Sequence, residues 1–381
     1  MSEPRLGGLR PVRLGHVFGV PVFLTPSWLI VALIVTVSFA DIFVRAVPGT
    51  TTTAAHMLAF AFALLLAVCV LLHELGHVLT ALSLRLKVNR VVIFLFGGAS
   101  EIDPEPQRPR DEVLVSAAGP IVSGLLALFA WFFQTMVADH TALNVELVLL
   151  LWSNVSIAVF NALPGLPLDG GRVLRAIVAG LGARRLTATR VAAISGRVIA
   201  ALVAGSGILF AQGGWGIITV AFSAMIGAFL WFGATQALVA ARVAERVPQL
   251  SVGAVLRPAV WVPPDLPLSE ALRWADEHAA RAIVLLDGQQ RAVAVVADGL
   301  LAGVAQAQRP WRPVSSVAVP LDPQARLPLH LAGTALMDAC QQHPAEYYLV
   351  LEEHGAPVGV VTSLDVRRFL ENPPGAVVST R

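Results

Sequence analysis

The stretch LLHELGHVLTA, residues 71–81, sets two histidines and a glutamate inside an otherwise apolar run. A carboxylate near the middle of a membrane span costs about 2–3 kcal/mol or more unless it is paired or hydrated. His73 and His77 are four apart, so on a helix they share one face about a turn apart. Both imidazoles can then reach a single ion. Glu74 is rotated about 100° from His73 and lies beside that ion. In the H-E-x-x-H arrangement two histidines hold zinc and the glutamate is the general base on zinc-bound water. The competing reading is a pair of core histidines hydrogen-bonded to neighbouring helices, or a proton relay.

The composition supports a membrane setting for this stretch. Of 381 residues, 56% are hydrophobic and 14% charged, with a mean hydropathy of +0.72. Soluble domains carry roughly 25% charge. A net charge of +2 gives no case for a nucleic-acid partner. Cys69 and Cys340 are far apart, so neither a disulfide framework nor a cysteine metal site is available.

A helix needs about 20 apolar residues to cross a bilayer. Six runs qualify, near 25–45, 56–83, 112–136, 146–163, 191–211 and 216–240. The first is not read as a cleaved signal, because a long segment precedes it and five more spans follow. Lys and Arg cluster before the first span, between the second and third, between the fourth and fifth, and after the sixth. The other connections, 46–55, 137–145 and 212–215, contain none; Arg45 is the lone exception nearby. By the positive-inside rule the expected location is the plasma membrane, with the N-terminus and the C-terminal tail cytoplasmic.

After about residue 245 the apolar runs shorten to strand length: AIVLL (282–286), AVAVV (292–296), YYLVLE (347–352) and VGVVT (358–362). Two segments share an order of helix, strand, turn and strand, which predicts two tandem α/β repeats, 246–310 and 311–375, behind a membrane domain spanning 1–245.

A catalytic zinc ordinarily takes three protein ligands and a water. The other histidines lie before the first span, on the outer side or in the tail. The remaining candidate is Asp169 in NALPGLPLDGGRVLRA (161–176), after a span whose inner end is broken by Pro164 and Pro167. Broken backbone at membrane depth is tolerated where protein or a watery cavity satisfies it. An ordinary helix cap before GGRVLRAIV is the other reading of Asp169.

HELGH in one span, FGG (96–98) after it and NALPGLPLDGG near the end of a later span closely resemble the site-2 protease family, in particular the bacterial branch with the sporulation factor IVB-type proteases. The resemblance covers roughly 14–245. It implies that His73, His77 and Asp169 ligate Zn2+, that Glu74 is the base, and that Asn161 helps polarise the scissile carbonyl. It also implies that VVIFLFGG (91–98) is a membrane-entering strand and loop. Phe96, Gly97 and Gly98 there would hold an unwound substrate by β-augmentation. LGHVFGVPVFLTPSW (14–28) matches a strand-like lead into the first span. The implied substrate is a single-span membrane protein, cut near the cytoplasmic face.

The tail ends in GAPVGVVTSLDVRRFL (355–370), which resembles the closing strand and helix of a CBS (cystathionine-β-synthase-type) domain. In that family Thr362 would face phosphate and Asp365 the ribose of an adenosine nucleotide. The first repeat departs from the pattern, with Ala297 and Leu300 at the equivalent places. A helix cap at Ser363 or Asp365 is the plain alternative, and the pair could also serve as a regulatory or homodimerising module. The expected fold is thus a polytopic α-helical membrane domain with a short β element, followed by a soluble tandem CBS pair. Two other functions stay open: a CBS-regulated transporter or ion pathway, and a catalytically inactive scaffold.

Overall fold

The computed structural model describes residues 11–94, 97–211 and 216–371. The chain divides into two compact units at Leu238/Val239. Phe96 lies outside the described residues.

The first unit opens with strands β1 (Val12–Val17) and β2 (Val20–Leu24), then the first span, α1 (Trp28–Ala46). The second span, α2 (Thr52–Ser83), starts where the Thr51 side chain accepts from the Ala54 amide. Its 32 residues reach about 48 Å, well beyond a ~30 Å hydrocarbon core. Strands β3 (Val88–Phe94) and β4 (Gly97–Ile102) follow. The third span, α3 (Pro109–Gln134), has Pro at its start and Asp111 and Glu112 in its first turn, where each suits the exposed amides and the helix dipole. The fourth, α4 (Ala142–Ala162), is capped by Thr141 and stops at the Leu163–Leu168 segment with its two prolines. A short helix, α5 (Asp169–Gly180), separates it from the last two spans, α6 (Arg185–Phe210) and α7 (Gly216–Arg246). Six helices, all of these except α5, are long and apolar enough to cross a membrane. Their outward leucines and phenylalanines, such as Leu33, Leu125, Phe129 and Leu202, are exposed, as a lipid-facing surface requires.

Strands β1 to β4 form one sheet in chain order. β1–β2 and β3–β4 are antiparallel, and β2 and β3 pair in parallel through Val22 with Val91 and Leu24 with Ile93. Among the described residues β4 pairs only with β3, so its far edge is open. The sheet packs on α2 through Val20, Val22, Val78 and Val91.

The second unit contains α8 (Val252–Val255), β5 (Arg257–Val262), α9 (Leu268–Glu277), β6 (Ala282–Leu286), β7 (Ala292–Val296) and α10 (Asp298–Ala302). It continues with β8 (Ala318–Pro320), β9 (Arg326–Pro328), α11 (Gly333–Gln342), β10 (Tyr347–Leu351), β11 (Pro357–Thr362) and α12 (Ser363–Glu371). The sheet order is β8-β7-β6-β5-β11-β10-β9. The two halves repeat one pattern: β5–β6 and β9–β10 are parallel, β6–β7 and β10–β11 antiparallel. β11 pairs with β5 and joins the halves; Val284, Val295, Leu349 and Val360 form a core cluster spanning both. The second unit is thus a tandem α/β architecture.

Candidate metal centre

His73, Glu74 and His77 are all buried on the C-terminal half of α2. Asp169 is the first residue of α5. The turn of backbone before it is anchored to α6: the Leu166 amide donates to the Ala192 carbonyl at 3.0 Å, and the Ser195 hydroxyl donates to the Pro164 carbonyl. α5 therefore points its N-terminus at α2. Asp169 Oδ2 lies 3.2 Å from His73 Nε2 and 3.3 Å from His77 Nε2, and the two Nε2 atoms are 3.3 Å apart.

These three distances test whether the residues suit a metal. Ligands about 2.0–2.1 Å from a tetrahedral zinc stand about 3.3 Å from one another. The triangle of His73, His77 and Asp169 has those edges on all three sides. Its chemistry, two imidazoles and one carboxylate, is a donor set that catalytic zinc sites use. His73, Glu74 and His77 also place a ligand atom each within 4.8 Å of one another. Glu74, however, is engaged elsewhere: the Ser100 hydroxyl of β4 donates to its Oε2 at 2.7 Å.

The opposite nitrogens of the histidines are held by α3. His77 Nδ1 is 2.7 Å from the Val115 carbonyl, which can only accept, so this nitrogen carries the proton and Nε2 keeps its lone pair. His73 Nδ1 is 2.9 Å from the fully buried Ser123 hydroxyl. Outer partners of this kind fix imidazole orientation and tautomer. Gly119 lies between them on the same face, and a Cβ there would overlap both Nε2 atoms. Likewise a Cβ at Gly98 would overlap the Glu74 side chain. Glu74 thus lies directly under the open-edged strand.

Val115, Gly119, Ser123 and Ser100 were not singled out by the sequence. The available signal was a line of small or polar residues at 116, 119 and 123 in an otherwise apolar span. Of the other expected site residues, Asn161 lies in the last turn of α4, with its amide donating to the Ile157 carbonyl at 3.0 Å. Gly97 begins β4.

In the second unit Thr362 ends β11 and caps α12: its hydroxyl accepts from the Asp365 amide at 3.0 Å and donates to Asp365 Oδ2 at 2.7 Å. Asp365 is also gripped by Arg257 from β5, through Nε at 2.5 Å and Nη2 at 3.0 Å. Arg257 reaches Asp298 of the first repeat as well, at 2.7 Å. These pairs push the guanidinium pKa up, against the effect of burial. The sequence reading did not anticipate Arg257, which is the residue linking the two repeats at this point.

One bundle of six apolar helices thus holds an H-E-x-x-H helix met by the carboxylate that begins α5. The profile of peptidase family M50 matches residues 61–146 and 135–206, which hold all four of these residues. A zinc metalloprotease of Synechocystis is 37% identical over 167 residues, 44% of either chain; the match therefore spans less than half of that relative's length. The zinc metalloprotease Rip3 of Mycobacterium tuberculosis is 29% identical over 387 aligned positions, covering 94% of this chain and 93% of its own. The solved site-2 protease from Methanocaldococcus jannaschii aligns with 26% identity over 60% of this chain and 95% of its own, at a TM-score of 0.41. The CBS domain of the bacterial CNNM/CorC family Mg2+ transporter aligns with 18% identity over 35% of this chain and 82% of its own, at a TM-score of 0.26. The stretch from 61 to 206 thus matches the model of peptidase family M50, and along nearly its full length the chain is similar to a zinc metalloprotease.

Proposed function

We propose that this chain is a zinc-dependent intramembrane endopeptidase that hydrolyses a peptide bond in or near the transmembrane segment of a single-span membrane protein. The observation that carries the reading is the triangle of His73 Nε2, His77 Nε2 and Asp169 Oδ2, all edges 3.2–3.3 Å, with Glu74 adjacent. Zinc held by these three side chains would supply a water that loses its proton near neutral pH and a positive charge to polarise a carbonyl. Val115 and Ser123 hold the histidines so that both Nε2 atoms face Asp169. Glu74 takes a proton from the attacking water on its carboxylate and returns it to the amide nitrogen as the C–N bond breaks. Asn161 has a second amide hydrogen beyond the one given to Ile157, which can serve the scissile carbonyl from the α4 end.

A transmembrane helix hides its carbonyls in its own hydrogen bonds, so a substrate must unwind before it can be cut. The open edge of β4 offers replacement bonds directly over Glu74, with Gly97 and Gly98 allowing close approach. The distribution of Lys and Arg argues for a plasma-membrane protein with its N-terminus and CBS pair in the cytoplasm, and for cleavage near that face. The CBS pair is read as a regulatory module, with Thr362 and Asp365 as a candidate site for an adenosine nucleotide and the pair as a route to a homodimer. A nucleotide ribose would there compete with Arg257 for the Asp365 carboxylate.

Cleavage of co-expressed single-span substrates by wild type and by Glu74→Gln tests the reading. Loss of a general base should slow cleavage about 10²–10⁴-fold. A folded, zinc-loaded Glu74→Gln chain that cut as fast as wild type would refute the proposed mechanism.

A further inference from the structure

We infer that the buried ion pair between Arg175 and Glu112 is the positioning element that brings Asp169 to the two histidines, an anchor between α5 and α3 set one layer below the metal centre. The inference rests on the zinc reading above and deepens it.

Asp169 stands at the very start of α5, after a proline-broken turn. Its position relative to α2 therefore depends on how the body of α5 is docked. Arg175 is six residues further on, about 9 Å along the helix axis. It is buried, whereas Arg172 on the same helix is exposed. Its Nε and Nη2 lie 2.6 and 2.5 Å from Glu112 Oε1, and the Glu112 side chain is 6% exposed.

Glu112 belongs to the face of α3 that serves the histidines. Residues 112, 115, 116, 119 and 123 follow the three- and four-residue steps of one helical face, and all five are buried there. This face supplies the Val115 carbonyl to His77, room at Gly119 and the Ser123 hydroxyl to His73. One rigid rod thus orients two ligands and, through Glu112, grips the helix that delivers the third.

The same network reaches the support of the base. Glu105, just after β4, accepts from Arg175 at 3.4 Å and from Arg185 of α6 at 2.7 Å. Burial raises the Glu105 pKa, but Arg175, Arg172 and Arg185 outweigh that and hold the carboxyl below its usual range. β4 carries Ser100, which holds Glu74.

An ion pair buried in this way adds little net stability over an apolar pair of similar size, while it can fix register. That contrast separates positioning from general stabilisation. In the double variant Arg175→Met/Glu112→Leu, purified as the full chain, the unfolding temperature should stay close to that of wild type. Zinc affinity, measured by chelator competition on the metal-free protein, should fall tenfold or more, the scale expected for partners that orient metal ligands. With zinc saturating, kcat should fall while KM for a membrane substrate holds. Arg175→Lys keeps the charge but loses the fork, and should lose at least threefold in zinc affinity; it carries the test if the double variant fails to fold. Affinity reduced by less than threefold in whichever variant folds overturns the inference. A wild-type chain that takes up no zinc removes the enzyme reading and this one together.

Discussion

At the scale of single residues, the side chains proposed for the chemistry are legible and those that make room for them are not. His73, Glu74, His77 and Asp169 stand out because polar groups in apolar spans are expensive. Val115 acts through its backbone carbonyl and Gly119 through the side chain it lacks, so neither leaves a mark in hydrophobic patterning. Gly119→Ala should reduce zinc content at least tenfold, because its methyl would occupy the space between the two Nε2 atoms. Gly124→Ala on the same helix is the control, since a Cβ there meets nothing within 4 Å and alanine favours the helix by about 1 kcal/mol. Metal analysis of both purified variants checks this; equal zinc in the two would mean that the histidines can retreat from position 119.

At the scale of elements, the six spans and the strands at 282–286 and 292–296 are read directly from periodicity and length. α5 shows in the sequence only as the helix read after Asp169, since a 12-residue segment with two arginines is too short and too polar to be a span. The parallel pairing of β2 with β3 is likewise invisible, since its partners Val22 and Val91 are 69 positions apart and no local pattern encodes that contact. In the second unit Arg257 joins strand β5 to the start of α12. Burial would raise the Asp365 pKa, but the bonds from Arg257 and Thr362 outweigh it and lower it. A carboxyl depressed on folding contributes stability above about pH 4, its unfolded value, and loses that contribution as pH falls through the lower folded value. Asp365→Asn should therefore destabilise this unit by about 1–3 kcal/mol near pH 7 and by much less at pH 3. Thermal unfolding of the full chain at the two pH values measures it. An equal loss at both would assign the effect to the Thr362 cap rather than to the ion pair.

At the scale of the whole molecule, the polar groups of the candidate site gather in one thin layer of the first unit. His73, Glu74, His77 and Asp169 meet there, Arg175 and Glu112 lie next to it, and the surrounding helices present leucine, isoleucine and phenylalanine outward. The sequence locates that layer because the same few positions break the apolar pattern in two spans. The strands beside it, within 14–28 and 91–98, are expected from the family resemblance, and their pairing into one sheet decides what could reach the layer. Strand β4 ends its sheet with one row of backbone donors and acceptors unpaired by any other strand among the described residues. Under the proposed function, the substrate's own helix propensity becomes a kinetic setting. A target captured on β4 would first give up helical bonds, so residues that weaken a helix near the scissile bond would lower the barrier. Replacing one alanine by glycine there is worth about 1 kcal/mol, roughly a fivefold gain in cleavage rate if unwinding limits it. A graded series of Ala→Gly substitutions in a single substrate would show that ladder of rates, and a flat series would mean that unwinding is not what the enzyme waits for.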